Sequence, residues 1–211
     1  MEFNDLTFSA NNNKHVYGKY ILKGWNINGF DTKSRPLNKA FKQTVIGSLY
    51  ADFWVLTETH CNENEKVELD GFTVYQFNRA NCKRGSGGVA IAINNIVLET
   101  HKVIGVHKGI DGQLGIKLKN NINDFLIGVL GLYLPPDSYL YGQDSELFFN
   151  SASVIWDTLS DCDLLVGSGD LNARTKDVND YVSDIDGDVP PRQNPDKVKN
   201  STGILTQNRF D

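Results

Sequence analysis

Apolar and polar positions fall into a regular pattern from Tyr20 onward. Tyr20 to Trp25 forms a compact apolar run that predicts a strand. Leu37, Phe41, Val45 and Leu49 recur every fourth residue, the spacing of one helix face, beginning near Pro36. Phe53 to Leu56 predicts a short buried strand, Phe72 to Phe77 an alternating one, and Gly87 to Ile93 another. Leu114–Leu118 and Phe125–Tyr133 predict a hairpin across the polar turn Asn120–Asp124. Leu147, Phe148, Ser151, Val154, Ile155 and Leu159 predict a second amphipathic helix, and Leu164–Val166 a last buried strand. Residues 1–18 show no periodicity and read as a loose lead-in to a domain spanning 19–211. Between Asp177 and Lys199, three prolines and six aspartates with few large apolar residues read as a surface loop. The order of elements predicts an α/β (α+β) fold built on largely antiparallel sheets. The lack of strict βα alternation argues against a doubly wound nucleotide-binding fold.

Composition narrows the function. With 211 residues, 40% of them hydrophobic, the chain has the length of one domain with a substantial core. The 26 acidic and 21 basic residues give a net charge of −5, which argues against nucleic-acid binding by bulk positive charge. That balance leaves room for an enzyme that brings a divalent cation to a phosphate. Cys61, Cys82 and Cys162 are odd in number and form no CxxC pair, so reduced thiols are expected rather than a disulfide framework or zinc site. The start is too polar for a signal peptide. The longest apolar stretch, Phe125 to Leu134, is ten residues with two glycines, too short to span a membrane. These features read as a soluble intracellular protein, nuclear or cytoplasmic, neither secreted nor membrane-bound.

Polar residues stand where the apolar strands end: Asn26, Glu58, Tyr133, and Asp170 with Asn172. Side chains at the ends of central strands converge on one sheet edge, the usual place for a site in such folds. The set is rich in oxygen donors, which suits Mg²⁺ or Mn²⁺ and a phosphate substrate. Taken singly, each residue has an ordinary structural explanation, as a turn Asn, a solvated Glu or a helix-capping Asp. Their joint order carries the functional reading. Arg84-Gly85-Ser86-Gly87-Gly88 lacks the ending of a P-loop and predicts a tight turn into a strand. The spacing of Asp184, Asp186 and Asp188 does not meet the requirements of an EF-hand.

In sequence order, Gly24-Trp25-Asn26-Ile27-Asn28-Gly29, Leu56-Thr57-Glu58-Thr59-His60, Arg84-Gly85-Ser86-Gly87-Gly88-Val89-Ala90-Ile91, Leu132-Tyr133-Leu134-Pro135-Pro136 and Gly169-Asp170-Leu171-Asn172-Ala173 resemble the endonuclease/exonuclease/phosphatase superfamily. The flavour is that of the endonuclease domain of non-LTR (LINE-type) retrotransposons. The resemblance implies a four-layered αββα sandwich and Mg²⁺-dependent (or Mn²⁺-dependent) hydrolysis of DNA phosphodiesters, by a nuclease that nicks its target. It also implies a place in a longer polyprotein with a reverse transcriptase. By resemblance Glu58 is the metal-ligand glutamate with Asn26 beside it, and Tyr133 faces the scissile phosphate. Asp170 orients or deprotonates the attacking water, and Asn172 stabilises the transition state. Lys83 and Arg84 are implied to touch DNA phosphates. His60, next but one after Glu58, is placed to point to the same face.

The superfamily's closing Ser-Asp-His block does not occur in these residues. The four histidines, His15, His60, His101 and His107, all precede Asp170. The expectation is therefore a domain incomplete at its C-terminus with impaired nicking. The alternatives are a non-catalytic remnant with weak DNA or metal binding, or another phosphodiesterase or phosphatase of the superfamily.

Overall fold

The computed structural model describes residues 4–12, 15–30, 36–79, 87–135 and 145–172. Its elements run β1 (Asn4–Asn12), β2 (His15–Asn26), α1 (Pro36–Ser48), β3 (Phe53–Thr57), β4 (Phe72–Phe77), β5 (Val89–Asn94), α2 (Asn95–Thr100), β6 (His101–Lys108), β7 (Gln113–Asn120), β8 (Leu126–Tyr133), α3 (Ser145–Thr158) and β9 (Leu164–Asp170). One sheet has the order β1-β2-β3-β5-β4, the other β6-β7-β8-β9. Both are mixed. β2 and β3 run parallel, as do β8 and β9, and the other pairs are antiparallel. Each parallel pair is joined through a helix, α1 in one sheet and α3 in the other, because parallel neighbours need a crossover.

Alternation along the strands builds the layers. Leu22, Phe53, Val55, Val89, Ile91 and Ile93 of the first sheet meet Leu114, Ile116, Leu118, Ile127, Val129 and Val166 of the second in one buried core. The opposite face of the first sheet buries Trp54, Leu56, Ala90 and Ala92 with Ile46 of α1. The outer face of the second buries Leu130 and Leu132 under Phe148, Phe149, Ala152 and Ile155 of α3. The result is helix, sheet, sheet, helix: the expected αββα sandwich. No helix among the described residues is long and apolar enough to cross a membrane. Burial pushes the Cys162 thiol up to about 11.

The structure departs from the sequence reading in places. Residues 4–18, expected as a loose lead-in, form β1 and the first part of β2, with Asn4 opposite Gly24 and Asn12 opposite His15. Leu6, Phe8 and Ala10 do alternate with polar neighbours, and pairing supplies the backbone partners that isolated residues lack. Helix α2 and strand β6 were not anticipated. Both helix faces are rotated from expectation. Phe41 is 52% exposed, whereas Lys42 and Ile46 are buried. Leu147 and Val154 are exposed, and Phe149 and Ala152 lie inside. The loop expected over 177–199 lies outside the described residues.

Where α2 runs into β6, His101 is buried in a polar cluster. Its Nδ1 lies 3.2 Å from the Val97 carbonyl, which can only accept, so Nδ1 carries the proton. Nε2 then accepts from the Tyr20 hydroxyl and the Asn120 amide, both at 3.2 Å. Burial holds the His101 pKa below its ordinary value, outweighing the Val97 hydrogen bond and the Asp52 charge that favour protonation. The unfolded chain therefore protonates first. The stability contributed by neutral His101 is full above the unfolded value of about 6.5 and is lost as pH falls through the lower folded value. Thermal melts from pH 8 to pH 5 should show this decline, and His101→Gln should flatten it. An equally steep decline in the variant would refute the assignment.

Candidate functional site

Alternation also decides which way the strand ends point. On β2 the inward positions are Leu22, then Gly24, then Asn26. On β8 they run Val129, Gly131, Tyr133, and on β9 Val166, Ser168, Asp170. Asn26, Tyr133 and Asp170 therefore face into the space between the sheets at a single edge, where both parallel pairs end. In register, Asn26 pairs with Thr57 and Tyr133 with Asp170.

Glu58 is the exception to alternation. Strand periodicity would send it outward with Trp54 and Leu56. Instead its φ is 53°, a left-handed conformation that turns the carboxylate back toward the other sheet. Asn28, His60 and Asn172 are also left-handed, at 44°, 54° and 47°. Asn tolerates this conformation, while for Glu and His it costs on the order of 1–3 kcal/mol each. Main-chain bonds on both sides hold the turn. Ile27, Gly29 and Phe30 donate to the carbonyls of Thr57, Glu58 and Thr59 at 3.0, 2.6 and 2.7 Å, and the His60 N–H donates to Gly87 at 2.9 Å. Gly87 and Gly88, at φ 63° and 86°, lead into β5, while the rest of the turn expected over 84–88 lies outside the described residues. A Cβ on Gly88 would lie 2.4 Å from Thr59 Oγ1. Buried Lys42 reaches from α1 to donate to the Gly29 carbonyl.

The side chains then meet. Asn26 Nδ2 donates to Asp170 Oδ2 at 2.7 Å, and the Tyr133 hydroxyl donates to Glu58 Oε1 at 2.9 Å. The Asn26 side-chain oxygen accepts the Asn28 N–H at 3.1 Å. The Asn172 N–H donates to Asp170 Oδ1 at 2.9 Å, while its side-chain amide donates to the Leu134 carbonyl at 2.8 Å. His60 Nε2 lies 3.6 Å from Glu58 Oε2. The His60 ring is the largest influence on the Glu58 carboxyl and draws it below its ordinary range. Burial opposes that shift, and hydrogen bonds from Asn26 and Tyr133 add to it.

Asn26, Glu58, Tyr133, Asp170 and Asn172 thus come together at one edge, and His60 joins them. Lys83 and Arg84 lie outside the described residues. The sequence reading missed Arg79, Lys42 and Asn28, which stand around this edge. The paired main-chain turns that make them neighbours leave no periodic signal.

Among the described residues no three His, Cys, Asp or Glu side chains gather as a metal-binding group. The donors present are two carboxylates and amide oxygens. That set fits a hard cation such as Mg²⁺, which takes one or two carboxylates and completes its shell with water and substrate oxygens. Glu58 and Asn26 are the residues that could hold it.

The fold is that of the endonuclease/exonuclease/phosphatase superfamily. An AP endonuclease from Leishmania major aligns at a TM-score of 0.57 and 18% identity, over 78% of this chain and 58% of that one. A 3′ phosphatase, NExo, from Neisseria, solved with a product DNA hairpin, aligns at 0.52 and 16%, over 74% and 59%. TDP2 from Caenorhabditis elegans aligns at 0.51 and 17%, over 77% and 50%. The chain therefore spans less than three-fifths of the length of these proteins, and the likeness is one of fold. No protein-family model and no curated protein sequence matches the chain.

Tyr133→Phe tests the electrostatics. A hydrogen bond to a charged group contributes about 1.5–3 kcal/mol. Because the folded Glu58 pKa is lowered, its contribution is present above the unfolded value of about 4.3 and disappears as pH falls through the folded one. Urea unfolding should show Tyr133→Phe less stable at pH 7, with the deficit shrinking toward pH 3. A deficit independent of pH would mean that the hydroxyl does not act on an ionised Glu58.

Proposed function

We propose that this protein hydrolyses phosphodiester bonds in DNA with a divalent cation, Mg²⁺ or Mn²⁺, as a retrotransposon-type endonuclease that nicks its target. The observation that carries the reading is the convergence of two carboxylates from opposite sheets, Glu58 and Asp170, each held by a hydrogen bond from the other sheet, Tyr133 on Glu58 and Asn26 on Asp170. One carboxylate binds and the other moves a proton. Asp170, oriented by the Asn26 amide on one oxygen and the Asn172 N–H on the other, accepts the proton of the attacking water. Glu58, kept ionised, would hold the cation with Asn26. The Tyr133 hydroxyl, aimed from the second sheet, stands beside the scissile phosphate. Asn172 acts through its backbone on Asp170 and through its side chain on the chain after β8. When bound, the cation supplies positive charge to the phosphoryl oxygens as charge builds there. Phosphoryl transfer depends on positioning and charge stabilisation, and this edge supplies both.

The support for DNA is the solved neighbours with the same fold, two of which are an AP endonuclease and a 3′ phosphatase bound to a DNA hairpin. The retrotransposon type, and a companion reverse transcriptase in a polyprotein, rest on the sequence blocks around Glu58 and Val89.

Two measurements test the reading. Supercoiled plasmid should be nicked with Mg²⁺ and not with EDTA, and Asp170→Asn or Glu58→Gln should cut the rate by about 100- to 1,000-fold. Mg²⁺ should also raise the melting temperature, and Glu58→Gln should remove that shift while Asp170→Asn retains part of it. Nicking unaffected by Asp170→Asn, or a metal-dependent shift unchanged in Glu58→Gln, overturns the assignment.

A further inference from the structure

A second polar link crosses between the sheets beside the Tyr133–Glu58 pair. Arg79 follows β4 in the first sheet, and its Nε lies 3.5 Å from Asp111 Oδ2, in the turn between β6 and β7 of the second. The Arg79 side chain is 13% exposed and that of Asp111 33%. An ion pair that joins the two sheets constrains how they sit at this edge, whatever it adds to stability.

Each partner adjoins a glycine that packs against Tyr133. Asp111 precedes Gly112, whose carbonyl accepts the Tyr133 N–H at 2.8 Å. The approach is close: a Cβ on Gly112, at φ 87°, would lie 2.1 Å from the Tyr133 carbonyl oxygen. From the other side, a Cβ on Gly87 would lie 3.4 Å from Tyr133 Cε1 and 3.9 Å from Arg79 Cδ. The phenol ring and the arginine stem thus flank the same glycine. A cavity of only about 10 Å³ lies between Arg79, Asp111, Gly87 and Tyr133. These contacts close a frame. Glu58 and Arg79 belong to the first sheet, and Tyr133 and Asp111 to the second. His60–Gly87 and Tyr133–Gly112 main-chain bonds tie the corners within each sheet.

We infer that Arg79 and Asp111 are a positioning pair for the reaction proposed above, holding the Tyr133 ring so that its hydroxyl stays on Glu58 and faces the phosphate. Arginine suits the task because its planar guanidinium stays charged when shielded and packs flat beside a ring. The inference rests on the phosphodiesterase reading for its catalytic consequence. The orientation of the ring stands apart from that reading.

The test uses the 211-residue chain, Arg79→Met, Asp111→Asn and the double variant, with two readouts. In plasmid nicking, each single variant should lower kcat by about 10- to 100-fold, the scale of a misplacement near 1 Å. KM should stay within about twofold, and the double variant should lose no more than either single one, as expected of residues acting as a unit. Independently of activity, the Tyr133 ring signal in ¹³C-tyrosine-labelled protein, identified with Tyr133→Phe, should shift in both single variants. A raised KM at unchanged kcat would place Arg79 on the substrate instead and overturn the positioning role. An unmoved Tyr133 signal overturns it as well. If the unmodified chain fails to nick at all, the phosphodiesterase reading falls, and the ring signal still decides whether the pair holds Tyr133.

Discussion

Asn26 on one sheet and Asp170 on the other are joined by a 2.7 Å hydrogen bond, although packed sheets stand about 10 Å apart. Two short side chains span that gap only where the backbones converge. Gly24, two residues before Asn26, faces Ser168, two residues before Asp170. A Cβ on Gly24 would lie 2.4 Å from Ser168 Oγ. Gly131 does the same for β8, where a Cβ would meet Val89 and Val55 at 3.0 and 3.2 Å. These glycines let the sandwich narrow toward the edge where the parallel strands end. The bonds Asn26–Asp170 and Tyr133–Glu58 both depend on that narrowing.

The same edge concentrates backbone cost. Glu58 and His60 occupy left-handed conformations that their side chains do not favour, and they are held by main-chain bonds to the 27–30 segment on one side and to Gly87 and Gly88 on the other. The turn therefore extends the sheet beyond the formal ends of β2, β3 and β5. Strain of this kind persists only where its surroundings over-determine it, and here they include a buried lysine tied to Gly29. What the strain achieves is local: it breaks strand alternation at one residue, so Glu58 faces Tyr133 instead of the α1 layer.

Much of this was legible in the chain. The buried strands β3, β5, β8 and β9 are apolar runs, and Asn26, Glu58, Tyr133 and Asp170 follow or end such runs, so the convergence of the site residues could be anticipated from strand ends alone. The lost information has physical reasons. In β6, exposed Ile104 and Val106 place apolar residues on the solvent face, and Gly105 and His107 on the other, so no alternation shows. Helix α2 is six residues, too short for a period, and it is announced only by Asn94, whose side chain accepts from the Ile96 N–H. In α1 the buried face is centred on Lys42, which a hydropathy pattern counts as exposed. Arg79 is indistinguishable in sequence from a solvated arginine after a strand, because Asp111, its partner, is far away along the chain.

Placing the two carboxylates on different sheets makes their spacing a property of the whole core. If Glu58 and Asp170 stood on one strand, local geometry would fix their distance whether or not the sandwich was well packed. Here the distance is set by how Val55, Val89 and Ile91 pack against Gly131 and Val129, and by the polar links that close the edge. Where the two carboxylates come together, the fold sets the Asn26 amide on Asp170 and the Tyr133 hydroxyl on Glu58. An amide and a phenol donor hold the carboxylates by hydrogen bonds and add no charge of their own to the edge. A lysine in the same place would form stronger bonds and would compete with the cation for Glu58. Asparagine at the end of β2 therefore ties the two sheets together at this edge without bringing a positive charge to it.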